Sequence, residues 1–203
     1  GSLSTGFAGI EAIRRELEDF KDSGKFIVSY GDYYTQGAYY LCSVADSVFL
    51  NPQGSVSLVG LASQGLFFTG LAEKIGVEHY IFKVGTYKSA VEPFFLKKFS
   101  DANREQLTSF LGSVWGNLTT ASDELDRYLN EGLAMGQASN AVDYKLADGL
   151  RYRYEVENCV KEMAGQDVKG KLKTAGVDKI VSIKVKEKEN KNKIAVLYAE
   201  GEI

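Results

Sequence analysis

Histidine is nearly missing from this chain, cysteine is rare, and no apolar run is long enough to cross a bilayer. Each shortage removes a class of chemistry. The one histidine, His79, opens the apolar run HYIFKV, where a structural role is expected. With it set aside, the chain has no Ser-His-Asp triad, no Cys-His pair and no His-rich metal site. Cys42 and Cys159 stand far apart and neither belongs to a CxxC pair, so zinc and thioredoxin-like redox readings fail. Cys42, among Tyr39, Tyr40, Leu41 and Val44, is expected as a buried free thiol, and Cys159 as a packing residue on a helix. No stretch approaches the ~18 consecutive apolar residues of a membrane span. A net charge of −3 leaves no basic face for nucleic acid. The patterns GxSxG, GxGxxG and GxxxxGKS/T are absent too, which leaves a hydrolase elbow and a nucleotide loop unsupported. No cofactor and no metal is expected. Lysine-based catalysis is one of the few mechanisms left open.

What is present is the composition of a globular protein. At 203 residues, 44% apolar and 25% charged, the chain can bury a core of one domain or one and a half. Phe7, Ile10, Ile13, Leu17 and Phe20 recur at steps of three and four, predicting an amphipathic helix that stops at Ser23-Gly24. Phe26 to Tyr30 reads as a strand before a turn at Gly31-Asp32. Thr35 to Ala45 suits a short helix, and Ser47 to Leu50 a strand ending at Asn51-Pro52. A helix over Leu66 to Ile75, closed by Gly76, leads to a strand from His79 to Val84. Ser100 is a good N-cap for the longest helix, whose apolar steps run from Leu107 to Tyr128. Further helices are expected from about Ser139 and over Glu155 to Ala164. Strands alternating with helices at this pitch indicate an α/β layer.

Past Gly165 the character changes. Val181 to Val185 alternates like a half-exposed strand, Lys186 to Lys193 (KEKENKNK) reads as a solvated linker, and Ile194 to Tyr198 as a fresh buried strand. The expected organisation is therefore an α/β unit over 1–165, a linker with an edge strand over 166–193, and the start of another unit over 194–203. The chain opens Gly1-Ser2 with no Met and no signal-peptide pattern, so any anchor or targeting segment is expected outside it.

The run Val84-Gly85-Thr86-Tyr87-Lys88-Ser89-Ala90-Val91-Glu92-Pro93-Phe94 places one lysine among small and apolar residues, just after a predicted strand. On spacing alone an ordinary surface lysine is the commoner reading. The other reading is a base in a partly dry pocket, where desolvation favours the neutral amine. An ordinary lysine holds its proton to about pH 10.4, so serving as a base near pH 8 requires roughly 3 kcal/mol of such help. Glu92, four residues on, would spoil the base by pairing with it, and its carboxylate is expected to point away from Lys88.

That run resembles the lysine motif of the signal peptide peptidase A (protease IV) family in its long, two-half form. Tyr30 to Leu41 (YGDYYTQGAYYL) and Ala45 to Gly54 (ADSVFLNPQG) are similar to the family's N-terminal half. The resemblance implies a layered βα spiral of the protease-crotonase, Clp protease-like type. It implies a Ser-Lys endopeptidase in which Lys88, in this half, serves a serine of the C-terminal half; the chain alone would then be inactive. In that half the serine sits in a GDxxxSGGY pattern, and aligning Gly31 to Tyr39 with it puts Gln36 at the serine position and keeps Gly37 beside it. Gln36 cannot attack a peptide bond, and Thr35 is a weak substitute. Ser89 either bonds the amine or caps the following turn, and the latter is commoner. The family's first strand is expected to be missing here, leaving an exposed sheet edge. The implied partners are apolar signal peptides, the C-terminal half and further copies in a homo-oligomer, a tetramer by resemblance. The implied place is the extracytoplasmic side of a bacterial inner membrane. A non-catalytic oligomerisation scaffold of the same superfold is the alternative, and the tyrosines around Tyr30 to Tyr40 fit plain packing.

Overall fold

The computed structural model describes residues 5–131 and 136–183. Helix α1 (Phe7–Asp22) forms where the apolar steps predict it, with Ile10 as its buried contact. Arg14 fastens it: the guanidinium donates to the Tyr40 carbonyl and to Ser43 Oγ, lies 4.5 Å over the Tyr40 ring, and pairs with Glu18 at 3.0 Å. Strand β1 (Val28–Thr35) then runs straight into α2 (Gln36–Cys42), which Thr35 caps by accepting the Ala38 N–H at 3.3 Å.

Both β1 and β2 (Ser47–Ser57) are longer than the sequence predicts. The expected turn at Gly31-Asp32 and the expected stop at Asn51-Pro52 are one irregularity within a continuing parallel pair. Gly31 lies opposite Leu50, but Tyr33 lies opposite Ser55, so residues 51–54 bulge out of the ladder. Pro52 is tolerated there because no N–H is required of it. Asn51 ties the bulge shut, donating to Asp32 Oδ1 at 2.8 Å and to the Tyr30 hydroxyl at 3.1 Å while accepting the Gln53 N–H at 2.9 Å. Gly54 closes against β1 so tightly that a Cβ would stand 2.3 Å from the Asp32 carbonyl oxygen.

After β2 come α3 (Thr69–Ile75), closed at Gly76 as expected, and α4 (Asp101–Thr119), capped by Ser100, whose Oγ accepts the Asn103 N–H at 3.1 Å. The long helix expected through Tyr128 breaks at residues 120–124 and restarts as α5 (Leu125–Asn130). This break turns Leu125 and Tyr128 into the core beside Leu50 and Leu58. Helix α6 (Ala138–Asp143), the two-residue strand β3 (Gly149–Leu150) and α7 (Arg153–Met163) follow. The sheet is parallel throughout, in the order β1-β2-β3. Asp148 docks β3 by giving its N–H to the Val48 carbonyl at 2.8 Å and accepting the Val48 N–H at 2.7 Å. A parallel sheet joined through helices is the α/β class the sequence predicts.

Two expectations fail. Val181 does not open a strand; it ends α8 (Val177–Val181), a one-turn helix. The rest of that expected strand, the KEKENKNK linker and the strand from Ile194 lie outside the described residues. The strand predicted over His79 to Val84 forms no ladder. A strand needs a neighbour, and among the described residues this one has none. The His79 ring lies tilted 5.3 Å from Phe94, Lys83 Nζ sits 5.4 Å over Phe95 and Ile81 is half-buried. Tyr80, Phe82 and Val84 are 84%, 95% and 90% exposed.

Candidate active site

The predicted lysine lies on an arm, residues 59–99, that leaves the sheet after β2 and returns at α4. Aromatic pairs hold the arm together: Phe67 on Phe99 at 5.2 Å and Phe68 on Phe94 at 5.9 Å. Backbone and hydroxyl bonds add to them, with the Phe68 N–H donating to the Pro93 carbonyl at 2.7 Å and Thr69 Oγ1 to the Leu96 carbonyl at 2.6 Å.

Lys88 sits on the turn that follows Gly85, its N–H directed at the Gly85 carbonyl at 3.4 Å. Among the described residues nothing forms the partly dry pocket expected of it: Lys88 is exposed. The strand expected to lead into that pocket joins no sheet among the described residues. None of the ion pairs among the described residues includes it. Tyr87 tethers the turn to α4 through a 3.1 Å hydrogen bond from its hydroxyl to Glu105, and that carboxylate raises the tyrosine's pKa. A shallow hollow of about 410 Å³ beside the tether is lined by Tyr87, Glu105, Gln106, Ser109 and Phe110.

Glu92 does point away from Lys88. The carboxylate is 1% exposed and accepts from Ser100 Oγ at 2.5 Å, the Ser100 N–H at 3.2 Å and Asn103 Nδ2 at 2.9 Å. Burial pushes its pKa up, but the Ser100 and Asn103 donors prevail and hold it below the usual carboxylate range. One buried acceptor thus satisfies the Ser100 N–H and hydroxyl, locks the N-terminus of α4, and anchors the end of the lysine turn. Sequence reading found both ends, a capping serine and a carboxylate that must avoid the lysine, without joining them. The spacing of eight between Glu92 and Ser100 fits no helix or strand period, so nothing signalled the contact.

Gln36 begins α2, and both ends of its carboxamide are hydrogen-bonded. Its Oε1 accepts the Gly60 N–H at 2.9 Å and the Val59 N–H at 3.2 Å, and its Nε2 donates to the Gly60 carbonyl at 3.3 Å. Thr35 Oγ1 serves as the helix cap, and the Gln36 carboxamide is no nucleophile. The Ser89 carbonyl accepts the Glu92 N–H at 3.0 Å, as a turn residue does. His79, expected to be structural, is exposed with its ring tilted against Phe94, and Cys42 and Cys159 are free, half-buried thiols, with burial raising the Cys42 pKa.

Comparison with known proteins bears on the same segments. The model of "Peptidase family S49" matches residues 19–167, a span that contains Gln36, Lys88 and Glu92. The chain is 36% identical over 167 residues to "Protease 4" of Salmonella typhi, covering 75% of this chain and 27% of that protein. It is 32% identical over 211 residues to "Protease 4" of Haemophilus influenzae, covering 96% of this chain and 34% of that one. With the chloroplastic "Serine protease SPPA" of Arabidopsis thaliana it shares 31% identity over 212 residues, covering 99% of this chain and 31% of the relative. The chain thus spans about a third of the length of these relatives or less. A family match over well over half of the residues, on a parallel α/β sheet of Clp protease-like type, shows that the chain belongs to peptidase family S49.

Proposed function

We propose that this chain is the lysine-donating part of a serine endopeptidase whose nucleophilic serine lies in sequence outside it. Lys88 is the general base. Its neutral amine takes the proton from the serine hydroxyl as the oxygen bonds to the scissile carbonyl carbon. The resulting ammonium then returns a proton to the leaving amine as the peptide C–N bond breaks. Water repeats the sequence on the acyl-enzyme, releasing the acid and restoring the serine. Apolar signal peptides are the substrates, an extracytoplasmic membrane face of a bacterium is the setting, and several copies assemble.

The observation that supports the reading is that no carboxylate among the described residues pairs with Lys88. Glu92, the carboxylate four residues away, is fully committed to Ser100 and Asn103, and Lys88 stands exposed at the tip of a tethered turn within the span matched by the family. Covering that turn with the second half supplies the dry surroundings that favour a neutral amine. The test is Lys88→Ala and Lys88→Arg in the full-length protein, assayed by peptide hydrolysis with the fold followed by circular dichroism. Both lose at least about a hundredfold in kcat, because a guanidinium is never a base at working pH. Wild-type rates in either variant reject the proposal.

A second reading, a non-catalytic assembly domain, has the bare Tyr80, Phe82 and Val84 row in its favour. It predicts hydrolysis unchanged by Lys88→Ala and an assembly lost on Phe82→Glu, read by sedimentation.

A further inference from the structure

Strand β1 ends at Thr35, opposite Ser57 of β2. There the two chains part, β1 curling into α2 while β2 continues as an open loop. Leu58, wholly buried, fixes the loop's origin in the core. The next two amides, of Val59 and Gly60, have lost their ladder partner but converge on one point, which the Gln36 Oε1 occupies. Gly60 adopts φ +75°, the left-handed conformation that glycine takes without strain. The Nε2 of the same side chain meanwhile donates to the Gly60 carbonyl. An oxygen accepting two N–H groups beside a nitrogen donating to a carbonyl is the hydrogen-bond pattern of a peptide group. Gln36 therefore occupies, with its own carboxamide, a position shaped for the backbone of another chain.

We infer that the Val59 and Gly60 amides form a binding nest for a peptide carbonyl or carboxylate oxygen, and that Gln36 keeps it shut. Loss of a nucleophile at position 36 is then only half of what glutamine does; the side chain also fills the seat. The inference rests on the geometry of Gln36 and on nothing attributed to Lys88, so the two stand or fall separately.

The test follows the 15N-labelled amides of Val59 and Gly60 by NMR in this chain and in Gln36→Ala. Acetate and an amidated, N-acetylated Leu-Leu-Leu tripeptide are the probes. In the wild type neither probe moves these resonances, and both amides are protected from hydrogen exchange. In Gln36→Ala they exchange about tenfold faster, the loss of one ordinary hydrogen bond, and shift saturably with a probe. Saturation by the capped tripeptide assigns the nest to a backbone carbonyl, and saturation by acetate alone assigns it to a carboxylate. Gln36→Glu, which keeps an acceptor in place, stays closed to both and guards against a merely unfolded Gln36→Ala. An Ala variant that keeps its core resonances yet binds neither probe overturns the inference, as does a wild type that binds as well as the variant.

Discussion

Glu92 shows how one carboxylate can decide the behaviour of a whole turn. Three donors converge on it inside the protein, so Glu92→Ala strands a buried amide, a hydroxyl and an amide NH2 at once. Leaving one such buried group unpaired costs about 1–3 kcal/mol, and urea unfolding should show a loss of at least that size. Glu92→Gln does little better, since its NH2 would face donors. The sign of the pH dependence follows from the lowered pKa. Between the folded value and the ordinary one near 4.3, the unfolded chain binds more protons, so this contribution is complete above the ordinary value and lost as pH falls through the folded one. Thermal melts between pH 6 and pH 3 should therefore fall more steeply for the wild type than for Glu92→Gln. Parallel curves would mean that the carboxylate is not held as described.

At the scale of elements, the β1–β2 bulge makes the sharpest prediction. A Cβ at position 54 would stand 2.3 Å from the Asp32 carbonyl oxygen, a backbone atom that cannot swing aside. Gly54→Ala must open the bulge and loosen the Asn51 bonds to Asp32 and Tyr30; a loss of about 1–3 kcal/mol is expected, read from chemical denaturation, and an unchanged midpoint would refute the packing. The same bulge marks the limit of what sequence reveals about this fold. Helix α1 and the Ser100 cap were legible because they repeat a local rule. The run through Pro52 was not, because a proline is a strand stop unless the partner's register slips, and register belongs to two segments at once. The break at residues 120–124 escaped for a related reason: the apolar steps from Leu107 to Tyr128 stay in phase across it, and only the core's demand for Leu125 and Tyr128 reveals the bend. At the candidate site, the outward aim of Glu92 was readable from eleven contiguous residues, whereas the engagement of Gln36 by Val59 and Gly60 joins positions more than twenty apart.

The whole molecule sets a packed sheet against an arm whose residues 78–84 join no ladder among the described residues. No residue from Glu78 to Val84 joins a backbone–backbone hydrogen bond among the described residues, and the Tyr80, Phe82 and Val84 side chains stand in water. Exposed edges and apolar faces of this kind are where another chain adds a strand. If the second half proposed above clothes this side, it also encloses the turn that carries Lys88, and the dry pocket is completed by the same act. Hydrogen exchange tests this directly. In the present chain the amides of residues 78–84 should exchange at close to free-peptide rates while those of Val28 to Leu50 in the sheet stay protected. In the full-length protein the amides of 78–84 should become protected by at least about a hundredfold, a gain of roughly 2.7 kcal/mol in opening free energy. Phe82→Glu in that protein should strip the protection and lower peptide hydrolysis with it, although residue 82 lies six positions from the lysine. Protection without any fall in hydrolysis would separate the arm from the chemistry, and amides that remain open in the full-length protein would place the catalytic seam elsewhere.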